Sequence, residues 1–267
     1  MDVAALVAAP PGHSRPSISV IVPTKNERTN LPKLLATLPP DIELVVCDAS
    51  DDDTPDLALA LRPAQTRVIP APGTIAEARQ LGAQASTGEV LVFTDADVAF
   101  APGYFERLHE LIGRSGTAGR AITDGVCGPK LSLDAHAGYY RLVAGAQRAA
   151  FGLFGVAGAS GSNMAITRAA FEQLGGFRLA LRCNEDTELF LRAGRRGLRV
   201  TYDDGLVVWA TDHRRLQRGV AWKSAHSLVR NVLLYLLCTR PRLPRLLVHD
   251  WGYWGRPSSL SARTDSL

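Results

Sequence analysis

Apolar positions along this chain fall into two rhythms. Short, nearly continuous apolar blocks occupy residues 18–22, 42–47 and 90–93, with a weaker one at 67–69. Blocks of this length, rich in β-branched residues and flanked by Pro, Gly or acids, read as strands buried on both faces. Pro23 is expected to stop the first, and the acidic turn Ser50-Asp51-Asp52-Asp53-Thr54 follows the second after Asp48. Between the blocks the spacing turns helical. Leu31, Leu34, Leu35 and Leu38 share one face, with Asn30 in the cap position and Pro32 in the first turn. Residues 74–85 form an Ala-rich helix that ends before Gly88. This alternation of strand and helix predicts an α/β fold around a mostly parallel, doubly wound sheet.

The second half is less regular. Gly152, Gly155, Gly158 and Gly161 interrupt it ahead of Asn163-Met164-Ala165-Ile166. Residues 168–174 read as a helix closed by Gly175-Gly176, and 186–196 as another ending near Gly197. Residues 199–202 and 206–209 are expected strands. No internal repeat or linker separates these pieces. The expected organisation is an N-terminal tail (1–17), one domain (18–212), a basic amphipathic helical extension (213–255) and a C-terminal tail (256–267).

Composition narrows the function. A chain of 267 residues with 46% hydrophobic and 21% charged content buries a full core and is not disordered. Its four cysteines lie far apart, which argues against a zinc site and for reduced thiols in the cytoplasm. The first 17 residues lack a basic n-region and read as a tail, not a signal peptide. No Gly-x-Gly-x-x-Gly follows the first strand and no Gly-Lys-Ser/Thr loop is present, so dinucleotide enzymes and P-loop NTPases fit poorly.

The apolar run Val90-Leu91-Val92-Phe93 leads into Thr94-Asp95-Ala96-Asp97. Two carboxylates at the carboxyl end of a buried parallel strand sit where open α/β sheets bind ligands. Their hard oxygens suit Mg²⁺ or Mn²⁺ shared with substrate phosphates. For an isolated Asp-x-Asp, a polar turn would be the better reading.

The pair is not isolated. Ile18-Ser19-Val20-Ile21-Val22-Pro23-Thr24-Lys25-Asn26-Glu27 is followed by Val46-Cys47-Asp48-Ala49-Ser50 and Asp52-Asp53-Thr54. Gly73, Ala78-Arg79, Gly82, Ala85 and Gly88-Glu89 then lead into the Asp-x-Asp. Gly161-Ser162-Asn163-Met164-Ala165, Phe171 to Phe177 and Asn184-Glu185-Asp186 come later. In this order the motifs resemble those of glycosyltransferase family 2, over about residues 18–210. The resemblance implies the GT-A fold, a Rossmann-like three-layer α/β/α sandwich. It departs from the family at Cys47-Asp48, where a pair of acids is usual, and it lacks the Gln-x-x-Arg-Trp signature of processive synthases.

The resemblance also implies roles. Asp48 would recognise the base or ribose of a nucleotide sugar, although a turn-capping Asp is common in such sequences. Pro23, Thr24 and Glu27 would line the same pocket, and Ala96, Asn163 and Glu185 would add substrate contacts. Arg79 is expected to meet a donor phosphate or ribose, against the plain alternative of a solvated Arg. Asp97 would ligate the divalent cation, with Asp95 on the ribose or a metal-bound water and His213 completing the metal site. Glu185-Asp186 opens a helix, where acids favour the dipole. In the family the aspartate of that pair is the base of inverting enzymes, which makes Asp186 the expected catalytic residue.

From His213 to His249 there are eight Lys or Arg and no acid. The apolar stretch 232–238 within it is far short of the roughly 20 residues that span a bilayer. With Trp251, Tyr253 and Trp254 following, this segment reads as an interfacial helix or as a core helix on the sheet edge. A nucleic-acid partner is not expected, because no aromatic stacking platform accompanies the charge. The expected protein is a metal-dependent glycosyltransferase moving one sugar from a UDP- or GDP-linked donor to a lipid-linked or saccharide acceptor, with inversion. Its expected location is the cytoplasm, docked peripherally at the membrane's cytoplasmic face. A non-catalytic nucleotide-sugar-binding scaffold and a phosphatase are the alternatives. The retained carboxylates argue against the first and the late position of Asp-x-Asp against the second.

Overall fold

A computed structural model describes residues 15–112, 114–115, 120–121, 123–134, 136–155, 160–181, 184–213, 229 and 233–234. Nearly all of the basic extension, and the whole of the tail at 256–267, lie outside these residues. Among the described residues no helix is long and apolar enough to cross a membrane.

The first half alternates as the apolar blocks predict. Strand β1 (Ile18–Thr24) leads to helix α1 (Leu31–Leu35), β2 (Glu43–Asp48), α2 (Thr54–Leu61), β3 (Thr66–Pro70), α3 (Ile75–Ala85) and β4 (Val90–Phe93). The short strand β5 (Val98–Phe100), α4 (Tyr104–Ile112), and the two-residue strands β6 (Arg114–Ser115) and β7 (Arg120–Ala121) follow. Next come β8 (Gly125–Cys127), β9 (Lys130–Leu131), α5 (Ala137–Phe154), β10 (Met164–Thr167), α6 (Arg168–Leu174), α7 (Glu185–Arg195), β11 (Val200–Tyr202) and β12 (Val208–Ala210).

Seven strands form the main sheet in the order β11-β8-β10-β4-β1-β2-β3. Every pairing is parallel except those of β10, which runs antiparallel to both β4 and β8. Side chains alternate faces along each strand. Val20, Val22, Leu44, Val46 and Val92 pack with Leu31, Leu34, Ala58, Tyr104 and Leu108, so α1, α2 and α4 cover one face. Ile21, Val45, Leu91 and Phe93 pack with Ala78, Ala83, Phe171, Leu174, Leu189 and Phe190, so α3, α6 and α7 cover the other. The result is the expected three-layer sandwich.

Some local expectations are corrected. Strand β1 runs through Pro23. Ile21 O turns towards β4, since it accepts from Thr94 N. Pro23 therefore faces the same side, beyond Phe93 where β4 has ended, and no ladder donor is needed there. Asn30 makes no cap hydrogen bond, and donates instead to Glu27 and Asp212. The acidic turn after Asp48 continues into α2, with Pro at its start.

Helix α3 shows why small residues dominate it. Thr74 and Glu77 form a reciprocal capping box at its start. A Cβ on Gly82 would lie 2.6 Å from Cys47 Sγ, so this glycine lets the helix press onto β1 and β2. That close approach carries Arg79 over the sheet to the ends of the strands.

Candidate active site

The carboxyl ends of β1, β2 and β4 open at one edge of the sandwich, together with the start of the antiparallel β10. This is where parallel sheets place ligand chemistry. Thr24, fully buried at the end of β1, donates its hydroxyl to Asp48 Oδ1 at 2.6 Å. Ser50 adds its backbone N–H to Oδ2 at 3.0 Å and its hydroxyl to Oδ1 at 2.7 Å. Asp48 is thus an oriented, ionisable acceptor at the strand end, even without the second acid that the family usually carries. Beside it, Asn26 adopts a left-handed backbone (φ 57°), and its side chain accepts from Asp51 N. Glu27 N donates to Thr54 Oγ1, which closes this loop against α2.

Arg79 is turned inward, not towards solvent or an open donor cleft. Its side chain is 2% exposed. One amino group donates to Glu185 Oε1; the other donates to Asp95 Oδ1 at 2.9 Å and to Gly161 O at 2.8 Å. Gly161 N in turn donates to Asp186 Oδ2 at 2.5 Å. One guanidinium therefore gathers the end of β4, the loop before β10 and the first turn of α7. A Cβ at Gly161 would collide with that guanidinium, so any larger residue must shift the loop or the arginine.

Three carboxylates around one guanidinium leave an excess of negative charge. Burial pushes the Glu185 carboxyl up to about 7; the Arg79 charge opposes this, and Asp186 and Asp95 add to it. Burial likewise raises the Asp186 carboxyl above its ordinary range, against Arg79 and the N–H groups of Thr187 and Gly161. The cluster is poised to hold either a proton or an additional cation.

Asp97 lies in the turn between β4 and β5, immediately before the second, smaller sheet of β5, β12 and β9. Its backbone carbonyl accepts from Thr211 N at 2.9 Å, and Oδ1 accepts from Lys130 Nζ at 2.9 Å. Lys130 is a site residue that the sequence reading did not single out. Asp97 Oδ2 has no hydrogen-bond partner among the described residues. That hard anionic oxygen fits Mg²⁺ or Mn²⁺. No three His, Cys, Asp or Glu side chains converge as metal ligands among the described residues. The remaining ligands would therefore come from water and substrate, as is usual for Mg²⁺ at phosphate sites.

Other expected site residues sit differently. Ala96 is packed into the core, so its methyl is not offered to a substrate. Asn163 is fully buried: it donates to Pro129 O and Leu206 O and accepts from the Tyr104 hydroxyl at 2.8 Å. Its amide is consumed in tying the two sheets together. His213 lies with Nε2 against the Asp134 carboxylate and Nδ1 3.2 Å from the Tyr140 hydroxyl, its ring 4.7 Å from that of His136. Asp134 is held down at about 2, chiefly by the Ser132 hydroxyl and the His136 N–H, with His213 contributing. Both ring nitrogens of His213 thus face protein partners at the start of α5.

Known proteins share this architecture. A mannosyltransferase of Pyrobaculum calidifontis, solved with GDP-Man and Mn²⁺, is similar with a TM-score of 0.62 and 20% identity, over 88% of this chain and 69% of that one. Glucosyl-3-phosphoglycerate synthase of Mycobacterium tuberculosis, solved with Mn²⁺, UDP and phosphoglyceric acid, gives 0.57 and 18%, over 88% and 86%. Residues 1–349 of S. aureus TarS, solved with UDP-GlcNAc, give 0.60 and 16%, over 83% and 72%. A longer TarS chain is covered to 43%. At these identities the likeness establishes the fold. No curated protein matches the chain in sequence. Residues 19–175 match the glycosyl transferase family 2, more than half of the chain and spanning Thr24, Asp48, Arg79, Asp95, Asp97 and Gly161. The chain belongs to glycosyl transferase family 2 and is a glycosyltransferase with the GT-A fold.

Proposed function

We propose that the protein transfers a single sugar, with inversion, from a UDP- or GDP-linked donor to a lipid-linked or saccharide acceptor, in a reaction that uses Mg²⁺ or Mn²⁺. The observation that carries this reading is the gathering of Asp95, Glu185 and Asp186 around Arg79 and Gly161, beside the oriented carboxylate of Asp48. The bound GDP-Man, UDP and UDP-GlcNAc of the similar structures support the donor class, and the Mn²⁺ in two of them supports the cation.

In this reading Asp48 accepts hydrogen bonds from the N–H groups of a uracil or guanine, with Pro23, Thr24 and Glu27 forming the pocket wall. Asp97 would hold the cation, and Asp95, fixed by Arg79, would face the ribose or a water of the cation. The cation, when bound, offsets the charge that develops on the departing diphosphate. Asp186 takes the proton of the acceptor hydroxyl as it attacks the anomeric carbon. Burial raises its carboxyl above the ordinary aspartate range, which makes it a stronger base than a solvated Asp. The basic run from His213 to His249 supports peripheral contact with an anionic membrane surface, which would bring a lipid-linked acceptor to the site.

The test is a panel of UDP- and GDP-sugars with Mn²⁺ or Mg²⁺, scored by thermal stabilisation and slow donor hydrolysis. At least one donor should raise the melting temperature only when a cation is present, and Asp97→Ala should remove both effects. A panel without any stabilising donor sinks the proposal.

A further inference from the structure

Lys130 already holds one oxygen of the carboxylate assigned to the cation. Its Nζ lies 2.9 Å from Asp97 Oδ1, and the two side chains keep only 16% and 14% exposure. The pair is built in by the fold. Val98 and Ala210 are register partners in β5 and β12, while Val208 and Lys130 are partners in β12 and β9. Thr211 N then fixes the Asp97 carbonyl. Three strands thus bring an ammonium to a carboxylate 33 residues away.

Two cations on one carboxylate repel each other. A divalent ion at Asp97 therefore weakens the hold on Lys130, and an ammonium left unpaired in so enclosed a place is costly. A nucleoside diphosphate removes that cost by offering new anionic oxygens. Lysine suits the exchange, since its compact charge rides on a flexible four-carbon stem and binds phosphate as a point charge.

Resting on the reading of Asp97 as the cation's ligand, we infer that Lys130 is a displaceable counter-cation that makes metal binding and nucleotide-diphosphate binding depend on each other. Before the donor arrives, Lys130 occupies Asp97 and keeps its affinity for a divalent ion low. When the donor binds, the ammonium moves to the diphosphate and Asp97 is released to the cation. Each ligand then tightens the other by the same factor. Lys130 also ends beside the leaving group, where its charge is most useful.

The experiment is Mn²⁺ binding to the full chain, read from the electron paramagnetic resonance signal of the free ion, with and without UDP or GDP, each against a protein-free blank holding the same nucleotide. In the wild type the nucleotide should tighten Mn²⁺ about tenfold or more. In Lys130→Met, Mn²⁺ should bind about tenfold tighter than in the wild type without nucleotide, and the nucleotide's effect should shrink by about the same factor. Should that variant not fold, Lys130→Arg serves. Its bidentate grip on Asp97 should lower nucleotide-free Mn²⁺ affinity below wild type, and an equal or higher affinity overturns the inference. Unchanged nucleotide-free affinity in Lys130→Met, with the nucleotide effect intact, overturns the role of Lys130 and leaves Asp97 as the ligand. Undiminished Mn²⁺–nucleotide binding in Asp97→Ala overturns both.

Discussion

Arg79 of α3 and Glu185 of α7 form an ion pair across 106 residues of sequence, with 2% and 4% of their side chains exposed. Such a pair contributes little net stability, because desolvation offsets the attraction. Its effect is positional. The same guanidinium binds Asp95 and Gly161, so the strand end and the helix start are held in one arrangement.

Removing one partner should therefore be severe. Arg79→Ala leaves buried carboxylates uncompensated and is expected to cost about 3–5 kcal/mol in urea unfolding. Arg79→Lys should recover only part of that loss, because one ammonium cannot reproduce a planar fork that serves three acceptors. A loss under about 1 kcal/mol for Arg79→Ala would mean the network is slack.

Gly161→Ala isolates geometry from charge. The added methyl meets the Arg79 guanidinium, so the loop or the arginine must shift while every ionisable group remains. Because Gly161 N also holds Asp186, the shift reaches the proposed base. Displacements of about 1 Å at a reacting centre cost on the order of 100-fold. Sugar transfer should fall by roughly that factor, with donor affinity, measured by calorimetry, changing far less. Equal losses in both would place Gly161 in donor binding instead.

Much of this was legible in the amino-acid sequence, and what was not has a common physical cause. The strands announce themselves because both faces are buried, leaving apolar blocks such as Val90 to Phe93 with nothing polar inside. Helix α5 gives no such signal: Leu142 and Leu153 are 73% and 76% exposed, so no apolar stripe marks it. Strand β10 is short and lies among glycines, which hides its place in the sheet. Asp48, Asp95, Asp97 and Asp186 were singled out as candidates through the order of motifs. The inward turn of Arg79 was not, since its partners lie 16, 82 and 106 residues away. Lys130 was missed for the same reason. Its partner is set by a three-strand register that no local pattern encodes.

The Glu185 carboxyl predicts how stability varies with pH. Its value in the fold is raised from 4.5 to about 7, chiefly by burial. The folded protein therefore keeps a proton that the unfolded chain has released. The stabilisation from this proton is complete below pH 4.5 and is lost as pH rises to about 7. Glu185→Gln lacks that titration. Across this window the melting temperature of the wild type should fall relative to Glu185→Gln. Parallel curves would show that Arg79 keeps Glu185 ionised throughout.

Asp186 carries the prediction closest to chemistry. Its two oxygens accept from Gly161 N and Thr187 N, so Asp186→Asn keeps the shape but must turn an amide N–H towards one of those donors. In the proposed reading donor binding relies on Asp48, Asp95 and Asp97, and it should persist in a calorimetric titration with a UDP- or GDP-sugar and Mn²⁺. Transfer to a hydroxyl acceptor loses its base and should drop by about 10²–10⁴-fold. A phosphate acceptor is already ionised at neutral pH and needs no proton removed. With such an acceptor the same variant should lose far less, because Asp186 then only orients the nucleophile. The ratio of the two losses therefore measures how much of the Asp186 effect is proton removal. Full activity of Asp186→Asn on both would assign the base to another group.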